Sequence, residues 1–518
     1  MNSAEIIALL NRCEAEYPVD RWAVGDVEVW PIARMRWYNL VLHHDLGSGA
    51  EGAGVRSGRG FLGTAARTLA VTARNRIFDF HKNARPGPQH QAILFSDGVS
   101  LAKVEGEWYD RFMDPIVAEL AAEGRESLLL MPMAAPAVPR HTPSLAIQTR
   151  LDAAKLAYTV KARLSGAPPH NLPRFDDVVA MLRREGAVAD LPGRAWLIAQ
   201  AGRIMAMARQ FDRLIARTGA KLAFVNTYYS ADGMAFVLAA RRRGCVTIDV
   251  QHGAQVDHVA YHRWRNVPAD GFALLPDLFW CWSGDEVAAI REGFGLNGPH
   301  QGVVAGNLWW RVWMQPGVAV AEAMQARLAK LKQRHGASRH ILVTHTWGHT
   351  DEDWLAILNA MAASSDDLVW WVRLHPMQIS QRERFRKELR CAGVRRFELD
   401  AATDYPLPLL LDHMDANVTE SSSTVLEAAT VGVPSVITTR HGADLFGAEL
   451  GAGRSRFAAD SDGILAAIVD LVRSGRVIRP GAVSPADPKL LPAVLADALA
   501  RAGARGCPPR TQTVSPRR

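Results

Sequence analysis

The chain has 518 residues, 48% of them hydrophobic, which predicts large buried cores divided among roughly three domains. Its five cysteines are odd in number and scattered, which argues against a disulfide framework or structural zinc and indicates a reducing cytoplasm; no apolar run approaches the roughly 18 residues of a membrane span. The net charge of +7 points to anionic partners but not to nucleic acid, because no basic recognition helix, zinc finger or RNP-like aromatic strand is found.

Residues 1–85 are predicted to be an N-terminal helical and aromatic extension that ends in a Gly/Ser-rich linker. Ile6, Leu10 and Cys13 lie on one helical stripe, and tryptophans crowd around Trp30. We favour a buried aromatic core as the interpretation of these tryptophans. The alternative is peripheral association with the inner membrane, because Trp and Arg also suit that interface.

Alternating short apolar runs and helical stretches follow, a pattern typical of parallel sheets built from βαβ units. Residues 86–305 are predicted to form a first Rossmann-like domain with a helical insertion, residues 306–475 a second, and residues 476–518 a helix with a disordered basic tail. The predicted strands are 92–96, 127–131, 222–225, 247–250, 278–282, 303–305, 341–344, 368–373, 396–398, 416–419 and 435–438, and helices at 109–123, 195–218 and 232–243 separate several of them. Two such domains place a cleft between the carboxyl ends of their strands, where ligands bind in these folds.

Polar motifs follow the strands of the first domain. Asp97 ends one strand, Asp232 begins the helix after another, and Gln251-His252-Gly253 ends a third. A histidine that titrates near neutrality suits a general base. We therefore expect His252 to deprotonate a hydroxyl, either directly or by orienting Asp232 or Asp97.

The second domain has a corresponding set of motifs. His345 and Trp347 follow one strand, and Arg373, His375 and Pro376 close the next. These side chains are predicted to line the cleft, with Arg373 and His375 on a phosphate.

A serine-rich turn follows a third strand of this domain. Ser421, Ser422 and Ser423 lead into a helix that Gly432 and Pro434 close. A helix that begins in serines presents free N–H groups and the positive end of its dipole, which predicts a phosphate site. Glu427, one turn into this helix, is predicted to accept hydrogen bonds from a ribose.

Asp351 and Asp353 match the metal-binding D-x-D pattern in residue spacing alone. They lie in a polar stretch that leads into a helix, so we interpret them as helix N-terminal charge. No metal site and no cofactor is expected.

These motifs together resemble the GT-B glycosyltransferases of bacterial surface polysaccharide assembly. Gln251-His252-Gly253, Arg373-Leu374-His375-Pro376 and the serine turn carry the resemblance, which covers roughly residues 90–475 and is similar to the capsule-biosynthesis, CDP-glycerol glycerophosphotransferase and CMP-sugar transferase groups. It implies that His252 and His375 are essential, and that His375 and the serines contact the nucleotide phosphate. The segment from Glu427 to Pro434 is similar to the ribose-binding helix of UDP-sugar enzymes, so the donor is expected to be CMP-, CDP- or UDP-linked.

The resemblance implies a cytoplasmic transferase. It would move a glycosyl or glycerol-phosphate unit from the nucleotide-activated donor, held by the second domain, to a polysaccharide or lipid-linked glycan acceptor, held by the first. Two alternatives stay open: a nucleotide-sugar epimerase of the same architecture, and a non-catalytic component of a polysaccharide assembly complex.

Overall fold

The computed structural model describes residues 3–45, 85–132, 140–186, 191–254, 260–261, 263–296, 298–314, 319–336, 338–346, 350–478 and 490–504. Trp347, the Gly/Ser-rich linker and the basic tail lie outside the described residues, so the predictions for them stay predictions.

The described strands, in chain order, are β1 (Ala23–Val24), β2 (Val27–Glu28), β3 (His90–Phe95), β4 (Leu101–Val104), β5 (Glu107–Asp110), β6 (Glu126–Met131), β7 (Ser144–Ala146), β8 (His170–Asn171), β9 (Leu222–Val225), β10 (Val246–Val250), β11 (Leu278–Cys281), β12 (Gln301–Val304), β13 (Arg339–Thr344), β14 (Leu368–Arg373), β15 (Phe397–Glu398), β16 (Ala416–Thr419), β17 (Ser435–Ile437) and β18 (Ser455–Phe457).

The described helices are α1 (Ser3–Glu16), α2 (Trp30–Asp45), α3 (Met113–Ala122), α4 (Gln148–Ser165), α5 (Phe175–Gly186), α6 (Arg194–Ile215), α7 (Ala231–Arg242), α8 (Gly284–Phe294), α9 (Leu308–Met314), α10 (Ala319–Gln333), α11 (Asp351–Ala363), α12 (Arg382–Cys391), α13 (Asp400–Asp404), α14 (Leu407–Asp412), α15 (Thr424–Thr430), α16 (Arg440–Leu445), α17 (Gly447–Gly451), α18 (Ser461–Ser474) and α19 (Leu490–Ala504).

Two parallel sheets organise the molecule. The first has the strand order β12-β11-β10-β9-β3-β6-β7, and the second has the order β15-β14-β13-β16-β17-β18. Both are doubly wound, because each sheet grows outward in one direction from its first strand and then in the other. The predicted GT-B-like class of two Rossmann-like domains with a helical N-terminal segment is confirmed.

The N-terminal helices pack onto the first domain through an aromatic core. Trp22, Trp30 and Trp37 are at most 1% exposed and contact one another edge to face, and Phe175 packs against Trp22. The interpretation of these tryptophans as core is therefore confirmed. Among the described residues, no helix has the length and apolar character needed to cross a membrane.

A buried ion pair fixes this N-terminal segment. Glu14 pairs with Arg34, and neither side chain is exposed; the Trp30 indole donates to the same carboxylate at 2.8 Å. The other carboxylate oxygen of Glu14 accepts from the Arg265 backbone, and the Arg34 guanidinium lies 4.4 Å over the Trp264 ring. The segment at Trp264 and Arg265 is thus attached to α1 and α2.

A β-hairpin, β4–β5, replaces part of a predicted helix. The helix predicted at 109–123 was wrong at its start, because Tyr109 lies in β5 and α3 begins only at Met113. The Asp110 carboxylate accepts from the backbone N–H groups of Phe112 at 3.0 Å and Met113 at 2.9 Å, which fixes the backbone where α3 begins.

The two domains share an apolar cluster, and the C-terminal helix α19 packs back on the first domain. Tyr109 of the first domain packs with three tryptophans of α9 and with buried residues of the second sheet such as Leu342 and Trp371. After Ile478 the chain returns to the first domain, where Val494 and Leu495 of α19 pack in the same core as strands of the first sheet.

Candidate active site

Asp97 stands at the carboxyl end of β3. Its carboxylate accepts from the Val99 backbone at 2.9 Å and from the Thr227 hydroxyl at 3.0 Å, and its own N–H donates to Asn226 at 2.9 Å. The ends of β3 and β9 thereby hold this carboxylate in one orientation. Burial lowers the pKa of His252, and the negative charge of Asp97 opposes that decrease.

His252 follows β10 and is half-buried. Its Nε2 lies 3.1 Å from the Tyr229 hydroxyl, and Phe112 packs edge-on against its ring. Burial lowers the pKa of His252 below its ordinary 6.5, and Asp97 and the Val250 carbonyl act against this change. The ring is therefore mainly neutral at pH 7, as a general base must be.

The residues that flank His252 have structural roles. The Gln251 amide donates to the Gly253 carbonyl at 2.9 Å and accepts from the Trp282 backbone at 2.6 Å, which joins the ends of β10 and β11. Gly253 faces the second domain: a Cβ placed on it would lie 3.8 Å from the Ser423 hydroxyl. Two of the predicted motifs therefore meet across the cleft.

Asp232 does not join this group. It begins α7 and forms an ion pair with Lys155 of α4, at 3.0 Å. The carboxylate whose charge acts on His252 is that of Asp97.

His375 caps a short 3-10 helix, Pro376–Gln381, with Pro376 in its first position. His375 Nδ1 accepts from the Met377 backbone N–H at 3.2 Å, so the neutral ring carries its proton on Nε2. Burial lowers the pKa of His375 to about 4, and the charges of Arg111 and His345 act in the same direction. His375 can therefore offer a phosphate a neutral N–H donor at pH 7, not a positive charge.

His345 supports the serine turn from below. It is buried against Trp354 and Phe385, and its Nδ1 bonds to the Glu420 carboxylate. Glu420 directly precedes Ser421. His345 is thus a buried support rather than a side chain that lines the cleft.

The serine turn leads into α15, a helix of seven residues. The Ser422 hydroxyl accepts from the Thr424 backbone at 3.3 Å, whereas the Ser423 side chain makes no capping bond. Ser421 donates its N–H to the Thr346 hydroxyl at 3.4 Å. Gly432 has a φ of +74° and closes the helix as predicted, because glycine adopts this conformation without strain.

Glu427 lies at the floor of the cleft and contacts the start of the second domain. Its carboxylate accepts from the Trp310 indole at 3.1 Å and from the Asn307 amide at 3.4 Å. Burial raises the pKa of Glu427, while Arg111 and Arg373 act against the increase. A ribose contact of Glu427 stays a prediction.

Arg111 is the functional candidate that the sequence did not reveal. It follows β5, donates to the Ser100 carbonyl at 3.2 Å, and interacts electrostatically with Asp97 of its own domain and Glu427 of the other. Burial lowers the pKa of Arg111, and these carboxylates act against the decrease. The hairpin that delivers this side chain turns at Glu105-Gly106, where both φ values, 48° and 89°, are positive, as two-residue hairpin turns of type I′ require.

Arg373, at the end of β14, is the second guanidinium of the cleft floor. It donates to the carbonyls of Ala402 at 2.7 Å and Tyr405 at 2.6 Å. Burial lowers the pKa of Arg373 to about 10, and the positive charge of Arg111 acts in the same direction. The two guanidiniums therefore repel each other, and an anion between them would relieve the repulsion.

Asp351 and Asp353 serve the helix as predicted. Asp353 completes a capping box with Thr350 at the start of α11. In the described ranges, no group of three or more His, Cys, Asp or Glu side chains could hold a metal ion.

Comparison with known proteins gives likeness at the level of the fold. No protein family and no curated protein matches the sequence. Solved structures that resemble the chain include the UDP complex of MnaA from S. aureus (TM-score 0.47, 13% identity, covering 79% of this chain and 96% of that one) and the UDP-GlcNAc 2-epimerase of Methanocaldococcus jannaschii (0.48, 11%, 79% and 99%). The wall teichoic acid polymerase TagF has a TM-score of 0.41 and 10% identity, covering 86% of this chain and 98% of that one. Likeness this distant carries no conclusion about activity.

Proposed function

We propose that the protein is a transferase that moves a glycosyl or glycerol-phosphate unit from a nucleotide-activated donor to a polysaccharide or lipid-linked glycan acceptor. The observation that carries the proposal is the approach of Gly253 to Ser423. It brings the His252 motif of one domain opposite the serine turn of the other, at the strand ends where doubly wound folds bind ligands.

The charges at the cleft floor suit a nucleotide phosphate. Arg111 and Arg373 supply two positive charges, and Glu427 is the carboxylate that acts on both. Guanidiniums recognise phosphate oxygens well, and donors fixed in a water-poor site stabilise a leaving group effectively. The proposed reaction needs no metal ion and no cofactor.

Each side of the cleft has its own task in this proposal. His252, assisted by the charge of Asp97, takes the proton of the acceptor hydroxyl on the first domain. On the second, His375 and Ser421–Ser423 hold the phosphates of a CMP-, CDP- or UDP-linked donor, and Glu427 meets the ribose.

Thermal-shift measurements with CMP, CDP, UMP, UDP and GDP test the donor half of this proposal. A nucleotide that binds the folded chain raises its unfolding temperature by mass action. Arg111→Gln should weaken binding of that nucleotide by about 1.5–3 kcal/mol, the range for hydrogen bonds to charged groups. Arg125→Gln, which removes a half-buried guanidinium that pairs with Glu123 away from the cleft motifs, is the matched control. If no nucleotide shifts the transition, the proposal is wrong.

A nucleotide-sugar epimerase is the second candidate. It is favoured by the electrostatic interaction of Arg111 with a carboxylate of each domain, Asp97 and Glu427, because epimerisation needs acid and base groups around one sugar. The two reactions differ in their need for an acceptor. The test is to incubate the protein, without an acceptor, with sugars linked to the nucleotide that it binds. Formation of a sugar isomer would favour the epimerase.

A further inference from the structure

Neither nitrogen of His252 faces the cleft unobstructed. Nδ1 is shielded from solvent, and Nε2 lies 3.1 Å from the Tyr229 hydroxyl. A substrate proton can therefore reach the ring only at Nε2. It must do so either after Tyr229 has moved away or through the tyrosine hydroxyl itself.

The surroundings of Tyr229 oppose its displacement. Its ring packs edge-on against Tyr228 and Tyr261, with ring centroids 5.8 and 6.0 Å away. The Tyr228 hydroxyl bonds to the Ala260 carbonyl, and the Tyr228 N–H donates to Asp249 at 3.0 Å. Tyr229 thus belongs to a packed aromatic group rather than to a free loop.

The Tyr229 hydroxyl also keeps its proton. Burial raises the pKa of Tyr229, and the charges of Asp249 and Asp97 act in the same direction. A neutral phenol can accept one proton while it gives up another, and a phenolate could not donate.

We propose that Tyr229 is a catalytic residue that carries the proton from the acceptor hydroxyl to His252, a role that rests on the transferase function proposed above. The O–H bond of the acceptor breaks and its proton passes to Tyr229 Oη, while the Tyr229 proton passes to His252 Nε2. The acceptor oxygen forms its bond to the transferred group, and the bond to the nucleotide phosphate breaks. His252 then holds one extra proton, which the reverse relay returns to water.

The relay requires that the tyrosine donates to the histidine at rest. The neutral His252 ring must therefore carry its own proton on Nδ1 and present a bare Nε2. Nitrogen-15 NMR of the full chain with labelled histidine measures this tautomer at pH 7 without any ligand. The His252 signals are assigned by their loss in His252→Ala.

We expect a bare Nε2 in the native chain and a population shifted toward protonated Nε2 in Tyr229→Phe. Tyr228→Phe removes the neighbouring hydroxyl, which bonds to Ala260, and should leave the His252 tautomer unchanged. A proton on Nε2 in the native chain, or a Tyr229→Phe spectrum identical to the native one, would overturn the relay.

A chemical measurement supplements the NMR experiment. Diethyl pyrocarbonate acylates unprotonated imidazole nitrogens, and mass mapping reports its rate at His252. With Nδ1 shielded and Nε2 covered, modification should be slow, and Tyr229→Phe should accelerate it several-fold. Equal rates in both proteins would contradict the proposal. Neither readout involves a nucleotide, so failure of the transferase proposal would appear separately, in the nucleotide panel.

Discussion

Two histidines on opposite sides of the cleft differ in what their rings can do. His252 contacts a tyrosine hydroxyl and feels the negative charge of Asp97. His375 accepts from a backbone N–H, and because its pKa is lowered to about 4, its ring is neutral at pH 7. The first therefore suits proton transfer and the second suits donation of a neutral hydrogen bond. Their substitutions should fail in different ways.

His252→Ala should keep nucleotide affinity and lower turnover by roughly 10²–10⁴, the range of a lost general base. His375→Ala should lower the nucleotide affinity as well as the turnover. Isothermal titration and single-turnover rates on both variants measure the difference, with His170→Ala, an exposed histidine of the first domain, as control. Loss of nucleotide binding in His252→Ala alone would reverse the two roles.

Asp114 makes stability depend on pH near neutrality. Burial and the charge of Asp110 raise the pKa of Asp114 from 3.8 to about 7. Below pH 7 the folded chain therefore keeps a proton on Asp114 that the unfolded chain has released. The stability that this proton contributes to the folded state is lost as the pH rises through 7. The loss amounts to at most about 4 kcal/mol.

Asp114→Asn should therefore stabilise the protein more at pH 8.5 than at pH 5.5, because the amide stays neutral. Urea denaturation at both pH values gives the two differences in free energy of unfolding. Asp176→Asn, at an 85% exposed side chain, should show little change at either pH. Equal effects of Asp114→Asn on the free energy of unfolding at the two pH values would show that the pKa of Asp114 is not raised.

At the scale of elements, α1 and α2 carry a charge pair that water does not reach. Removing one member of such a pair leaves the other uncompensated in an apolar surrounding. Glu14 also bonds to Trp30 and to the backbone of Arg265, so its carboxylate holds three segments together.

Glu14→Gln should lower the free energy of unfolding by about 3–5 kcal/mol, since the Arg34 charge stays buried without its partner. Glu16→Gln changes an exposed residue of the same helix and should cost at most about 0.5 kcal/mol. Urea denaturation of both variants provides the comparison. A Glu14→Gln variant as stable as Glu16→Gln would show that the pair contributes nothing.

Most strands were predictable from the sequence because a fully buried parallel strand is a short apolar run between turn residues. β9, β14 and β16 begin and end where predicted. The hairpin β4–β5 was not predicted, because its residues alternate weakly and Glu107-Trp108-Tyr109-Asp110 also continues the helical pattern of α3. That one missed turn hid Arg111 from the sequence analysis.

At the scale of the whole molecule, the site depends on contacts between distant segments. The Trp310 and Asn307 bonds to Glu427 span 117 and 120 residues. Local pattern could place His252, His375 and the serines at strand ends, and the known geometry of doubly wound sheets brought them to one cleft. The sequence could not show that Asp232 forms an ion pair with Lys155, or that His345 is buried behind the serine turn.

The first domain also depends on the returning helix α19. Leu495 is fully buried in the core of the first sheet, so Leu495→Ala should cost about 2–5 kcal/mol. Leu164→Ala, at an 82% exposed leucine, is the control. Calorimetric unfolding should show the loss, and a transition unchanged from native would mean that α19 is dispensable.

The return of α19 also has a mechanical consequence. The first domain ends near Ala305 and the described helix α19 packs in its core again, and Ala305, Leu308 and Leu495 belong to one apolar cluster. Two attachments in one cluster should restrict rotation of the domains relative to each other more than a single linker would. Gly253 and Ser423 approach each other across the cleft, so we expect any opening of the two domains to lengthen the distance between them.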